Sequence, residues 1–208
     1  FSIGGIVYLK IDNLILASYF GSDEVGYYQA AMQLIIVLEV LILISSKAIY
    51  PVIARLHNKS KKITIKFIEN SLFGAILLGL PSAVFLSVYS EQFILIMYGE
   101  DYAPSGPGLT ILAWLVPIRF MAHILGTVLS GTSNQKHRAI ATWLAALLNI
   151  VLNIILIPRY GFIGAAYSMI LTSGFLTVYY YISLYYKYSH IRLISILFDF
   201  LLPTLVVW

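Results

Sequence analysis

Apolar residues run in long unbroken stretches along this chain, and polar residues gather between them. Stretches near 3–20, 28–50, 67–90, 107–131, 139–157 and 162–186 each approach the ~20 residues that a helix needs to cross a bilayer core. A seventh begins near 193. Membrane-barrel strands are about half as long and alternate in polarity, which these stretches do not. The pattern predicts an all-α, polytopic bundle of transmembrane helices, with connections too short to hold a soluble domain.

The connecting segments alternate in charge. Asp23 and Glu24 follow the first stretch; Arg55, Lys59, Lys61, Lys62 and Lys66 follow the second; Glu91, Glu100 and Asp101 follow the third. Lys136 and Arg138 come next, then Arg159 alone, then Lys187 and Arg192. Lys- and Arg-rich connections stay cytoplasmic. The segments 51–66, 132–138 and 187–192 are therefore expected inside, and 21–27, 91–106 and 158–161 outside. Tyr179, Tyr180, Tyr181, Tyr185, Tyr186 and Tyr188 crowd the inner end of the sixth stretch, where an aromatic interface belt is expected.

Composition agrees with a membrane protein. Of 208 residues, 60% are hydrophobic and 11% charged, against about 25% charged in a soluble domain. Mean hydropathy is +0.89. The net charge of +4 lies mostly in connections, so topology accounts for it and nucleic acid is not an expected partner. Without cysteine there is no disulfide or thiolate metal site. No phosphate loop, zinc-protease helix or serine elbow is present, so no cofactor, metal or enzymatic chemistry is expected. Asp23, Glu24, Glu100 and Asp101 lack a histidine or a pocket and read as solvated turn residues. The chain starts at Phe1 and stops at Trp208 inside an apolar run. It reads as a piece of a longer protein, with one lobe over 1–190 and a further helix beginning over 191–208.

Proline falls inside three stretches, at Pro81, Pro117 and Pro203, and each is expected to kink its helix. Gly161, Gly164, Ala165, Ala166 and Ser168 open the sixth stretch with small residues that suit close helix packing.

Charges within the stretches need another explanation, since each costs roughly 2.5–3.5 kcal/mol to insert. They are Lys10 and Asp12 in the first, Glu39 in the second, Arg119 in the fourth and Asp199 in the seventh. Arg119, His123, Thr127 and Ser130 form one polar stripe at helical spacing. A guanidinium keeps its charge and presents forked donors that suit phosphate oxygens. The other reading of Arg119 is an ion pair with Glu39 or Asp12 that locks helices together. Asp12 and Glu39 are candidates for binding a coupling ion, since a desolvated carboxylate can take up and release a proton; neutralising basic residues is the alternative. Lys10 and Asp12 are two residues apart and point to different sides, so each needs its own partner. Gln29 and Gln33 on one helix, and Asn149 and Asn153 on another, are one turn apart. They can contact sugar hydroxyls or hydrogen-bond between helices.

Two segments carry a family resemblance. One is Asp12-Asn13-Leu14-Ile15-Leu16-Ala17-Ser18-Tyr19-Phe20-Gly21 with Glu24-Val25-Gly26-Tyr27-Tyr28-Gln29-Ala30-Ala31. The other runs from Leu148 through Asn149, Asn153, Pro158, Arg159, Tyr160 and Gly161 to Gly164-Ala165-Ala166. They resemble the Wzx-like polysaccharide-unit flippases of the MOP superfamily, which also holds the MATE exporters and lipid II flippases. The resemblance runs along almost the whole chain. It implies the second six-helix lobe of a two-lobed transporter, with the N-terminal lobe missing here. It also implies alternating access and, as cargo, an undecaprenyl-pyrophosphate-linked oligosaccharide carried across the cytoplasmic membrane, with membrane lipid around it and H+ or Na+ as coupling ion. Burial and charge single out Arg119, then Lys10, as substrate-binding residues, with His123, Gln33, Asn149 and Asn153 beside them, and Asp12 and Glu39 as ion-coupling residues. The alternatives are a MATE-type drug or small-molecule cation antiporter, which would present an acidic, aromatic cavity, and a membrane glycosyltransferase or polymerase, which would carry a large hydrophilic loop.

Overall fold

The computed structural model describes residues 3–186 and 188, with side chains from Ile11 onward. The seventh stretch, Asp199, Pro203 and the side chain of Lys10 lie outside the described residues. The described chain is helical throughout: α1 (Ile3–Phe20), α2 (Ser22–His57), α3 (Lys61–Val88), α4 (Ser90–Tyr98), a 3-10 turn over Glu100–Tyr102, α5 (Ser105–Leu112), α6 (Leu115–Gly131), α7 (Gln135–Tyr160) and α8 (Phe162–Tyr185). Five stretches among the described residues are long and apolar enough to cross a membrane, α5 and α6 together making one of them.

The helices run past their apolar stretches. α2 has 36 residues, or roughly 54 Å at 1.5 Å per residue, and continues through Pro51 to His57. The basic residues at its end and at the start of α3 are thus helical. Only residues 58–60 join the two helices, with the Ser60 hydroxyl accepting the N–H of Ile63 at 3.5 Å. Segment 91–106 is also more ordered than its charges suggest. It contains α4, which docks by burying Ile94 and by a 2.7 Å hydrogen bond between the Ser90 and Thr110 hydroxyls.

The stretch read as one span over 107–131 is two helices. Proline at position 117 has no N–H to give the carbonyl of Ala113 and its ring crowds that carbonyl. The Ala113 carbonyl takes the N–H of Val116 instead, at 3.1 Å, and the chain bends through Ala113 and Trp114. α3 continues through Pro81 as a single helix.

α6 is the centre of the bundle and packs against α2, α3, α7 and α8. Eleven of its 17 residues are buried, against eight of 36 in α2, so α6 carries much of the core while α2 keeps a broad apolar face outward. α3 meets α6 backbone to backbone: a Cβ added to Gly79 would lie 2.8 Å from Pro117 Cα. The small residues that open α8 serve the packing of α7 on α8, with Ala165, Ala166 and Ser168 fully buried.

Two aromatic and acidic assignments change. Tyr180 is 4% exposed and Tyr188 2%, whereas Tyr186 is 85% exposed, so the inner tyrosines do not form one belt. Tyr180 fills space beside Gly126, and the Tyr188 hydroxyl is 2.6 Å from His57 Nδ1. Burial pushes the Tyr188 hydroxyl above its ordinary pKa. Glu24 is not a solvated turn residue. Its carboxylate accepts the N–H of Phe162 at 2.9 Å, because the unpaired amides at a helix start favour an anion.

Candidate functional site

Two polar groups interrupt the apolar core, and both join helices far apart in sequence. The first surrounds Asp12 on α1, which is 1% exposed. Tyr28 on α2 donates its hydroxyl to Asp12 Oδ2 at 2.9 Å. Asn153 on α7 donates Nδ2 to Asp12 Oδ1 at 2.5 Å and to Asn149 Oδ1 at 3.0 Å. Helix arithmetic explains the meeting. Asp12 lies nine residues before the Gly21 joint (21 − 12), Tyr28 seven after it (28 − 21), and Asn153 eight before the Gly161 joint (161 − 153). At 1.5 Å per residue all three sit roughly 10–14 Å below the same end of the bundle. Among the described residues, Asn149 Nδ2 and Asn153 Oδ1 are buried with no hydrogen-bond partner, which leaves donor and acceptor capacity beside Asp12.

The second group surrounds Arg119, 7% exposed near the start of α6. Its Nη1 forms a salt bridge with Glu39 on α2, and its Nη2 lies 3.1 Å from the Met169 sulfur on α8. Of the two carboxylates open to Arg119 as partners, Glu39 makes the bond. The guanidinium is still near enough to Asp12 to interact with it through space. His123, one turn further along α6, is half-buried within electrostatic reach of Glu39, Arg119 and Arg138. The stripe continues through Thr127, whose hydroxyl donates to the His123 carbonyl at 2.8 Å, to Ser130, which accepts Arg138 Nη1 at 2.8 Å.

The structure thus draws Asp12, Asn149 and Asn153 together, and Arg119, Glu39 and His123 together. Gln33 belongs to neither, since it is exposed on α2. Tyr28 and Met169 are the members that sequence reasoning missed. Tyr28 was detectable, because a tyrosine hydroxyl inside an apolar helix needs a partner and its depth matches that of Asp12. A thioether gives no such signal.

No group of three or more His, Cys, Asp or Glu with metal-binding geometry occurs among the described residues.

Known proteins share this architecture. A probable low-salt glycan biosynthesis flippase, Agl15 of Haloferax volcanii, is 27% identical over 197 residues, covering 91% of this chain and 42% of the relative. A capsular polysaccharide biosynthesis protein, CapF of Staphylococcus aureus, is 22% identical over 87% of this chain and 45% of the relative. The chain therefore spans less than half the length of these relatives. Among solved structures, a MOP superfamily transporter from Pyrococcus furiosus superposes with a TM-score of 0.75 at 19% identity, over 89% of this chain and 43% of that one. The lipid II flippase MurJ in an inward closed conformation gives 0.71 at 20% identity, over 88% and 41%. The sequence pattern of the polysaccharide biosynthesis protein family matches residues 1–107, just over half of the chain. This chain, with five stretches among its described residues long and apolar enough to cross a membrane, has the fold of that MOP superfamily transporter and belongs to the polysaccharide biosynthesis protein family.

Proposed function

We propose that the chain forms the second lobe of a flippase that carries a lipid-linked, undecaprenyl-pyrophosphate oligosaccharide across the cytoplasmic membrane. Transport proceeds by alternating access against an N-terminal lobe, and the protein is a transporter rather than an enzyme. The observation that carries this reading is the Arg119–Glu39 pair inside the core of a chain from a polysaccharide family. A buried ion pair is a weak source of stability, so its presence in the core points to use. Arg119 exchanges Glu39 for pyrophosphate oxygens when the cavity opens, with forked N–H donors suited to both anions. Lys10, whose side chain lies outside the described residues, is the second candidate cation by charge and by its place within the first apolar stretch. His123 and Gln33 face the sugar-bearing part of the cargo.

Asp12 is the coupling residue and binds H+ or Na+. Asn149 and Asn153 serve that ion rather than the sugar, because Asn153 is bonded to Asp12 and both amides keep free polar atoms beside it. A MATE-type cation exporter would present free carboxylates to its cargo. Here both buried carboxylates are already engaged by Arg119, Tyr28 and Asn153.

The test is the double variant R119M/E39Q in the complete protein. It removes both charges of the pair together. Loss of polysaccharide export with normal membrane insertion is expected; normal export would remove Arg119 from the mechanism.

A further inference from the structure

The first turns of α3 carry lysines where a helix favours acids. Lys61 and Lys62 stand in the opening turn with no acidic residue among them, and the start of a helix is its positive end. Lys62 and Lys66 are one turn apart and exposed, and neither forms an ion pair among the described residues. They border a groove of about 300 Å³ whose other walls are Ile63, Phe67 and Asn70. Along the same outward face, Phe73 is 40% and Leu77 47% exposed.

The order of these groups along the helix matches the order of groups along a phospholipid. Asn70 lies four residues beyond Lys66, or roughly 6 Å deeper at 1.5 Å per residue. A phospholipid places its ester carbonyls at a similar depth below its phosphate, and acyl chain follows. Asn70 is exposed on a face that is otherwise apolar from Phe73 inward. An amide there has no partner in hydrocarbon but a good one in an ester carbonyl.

We propose that this groove binds an anionic phospholipid of the surrounding leaflet. Lys62 and Lys66 hold its phosphate, the Asn70 amide donates to an ester carbonyl, and one acyl chain lies along Phe73 and Leu77. The phosphate also offsets the unfavourable placement of two lysines at the positive end of α3. Basic residues at the membrane surface draw anionic lipid of the cytoplasmic leaflet, and the groove gives that attraction a defined address. The site is separate from Arg119, which is buried in the core, and it does not depend on the cargo.

The experiment uses the complete protein in neutral detergent. Phosphatidylglycerol, phosphatidylcholine and inorganic pyrophosphate are titrated in turn, with melting temperature and lipid retention in native mass spectrometry as readouts. Phosphatidylglycerol is expected to raise the melting temperature and to be retained. K62Q/K66Q weakens its apparent affinity at least ten-fold, and N70L weakens it two- to five-fold without any change of charge. K59Q/K61Q, which removes two exposed lysines outside the groove, stays within two-fold of the parent. Equal phosphatidylglycerol binding by K62Q/K66Q or N70L and the parent would overturn the proposal. So would an equal shift with pyrophosphate, which would make the site a phosphate site and not a lipid site. Melting in phosphatidylcholine alone checks that each variant is folded, and N70L carries the test if the lysine variant is not.

Discussion

The Glu24 carboxylate lies 2.9 Å from the backbone nitrogen of Phe162, so a residue in the first turn of α2 caps the start of α8. Removing a helix cap costs about 0.5–2 kcal/mol, and Glu24→Ala is expected to lower stability by that amount in thermal unfolding. Gly161→Ala is expected to cost more. Gly161 has φ +57°, and a Cβ there would lie 2.7 Å from Glu24 Oε2. In the double variant the clash disappears with the carboxylate, so the two losses sum to less than their separate values.

Arg119→Met alone leaves Glu39 charged and nearly enclosed, with side-chain exposures of 9% and 12% in the pair. Breaking a buried pair from one side costs about 3–5 kcal/mol. Adding Glu39→Gln is expected to restore most of that stability in the same melt, with no return of export. Recovery of both together would make the pair a structural lock only.

Tyr28→Phe removes one of the hydrogen bonds that hold Asp12 among the described residues. The expected loss is about 1–3 kcal/mol, the cost of leaving a buried acceptor short of a donor. Asp12→Asn can still accept from Tyr28 and is expected to fold. Transport into membrane vesicles by that variant is expected to lose its response to an imposed H+ or Na+ gradient. An unchanged response to both ions would exclude Asp12 from coupling.

Gly79→Val tests the α3–α6 crossing. The new side chain would press on the Pro117 backbone, which cannot yield as a flexible side chain could. Overpacking of this kind costs about 1–3 kcal/mol, read as a lower melting temperature.

Orientation can be read by labelling. The chain contains no cysteine, and Lys61 and Asp101 are both exposed. A cysteine at position 101 is expected to react with an impermeant thiol reagent added outside intact cells, and one at 61 is expected to be protected. The reverse pattern would invert the topology.

Hydropathy made the helical membrane bundle legible because a bilayer permits few other solutions. It did not mark helix ends. Hydropathy reports the ~20 residues in hydrocarbon, whereas Pro51, Arg55 and Lys61 continue helices into the polar zone. Pro117 announced a distortion, and the form it took, a break at Ala113 and Trp114, follows from the lost partner of the Ala113 carbonyl. The charged residues Asp12, Glu39 and Arg119 stood out one by one because charge is rare inside spans. Their pairing did not, since whether Arg119 reaches Glu39 or Asp12 depends on helix rotation, which one sequence leaves open. Glu24 misled for the same reason: its partner is a backbone amide 138 residues away, and an amide has no sequence signature.

α2 is fastened to the α8 side of the bundle at both extremities. Glu24 holds the start of α8, and His57 meets Tyr188 just past its end. Between them, Glu39 grips Arg119 on α6, and Arg119 in turn touches Met169 on α8. A rod pinned at its two tips and its waist cannot slip lengthwise past its neighbour without releasing all three fastenings. It can swing only if the neighbour swings too, which makes these helices one lever rather than a set of independent pistons.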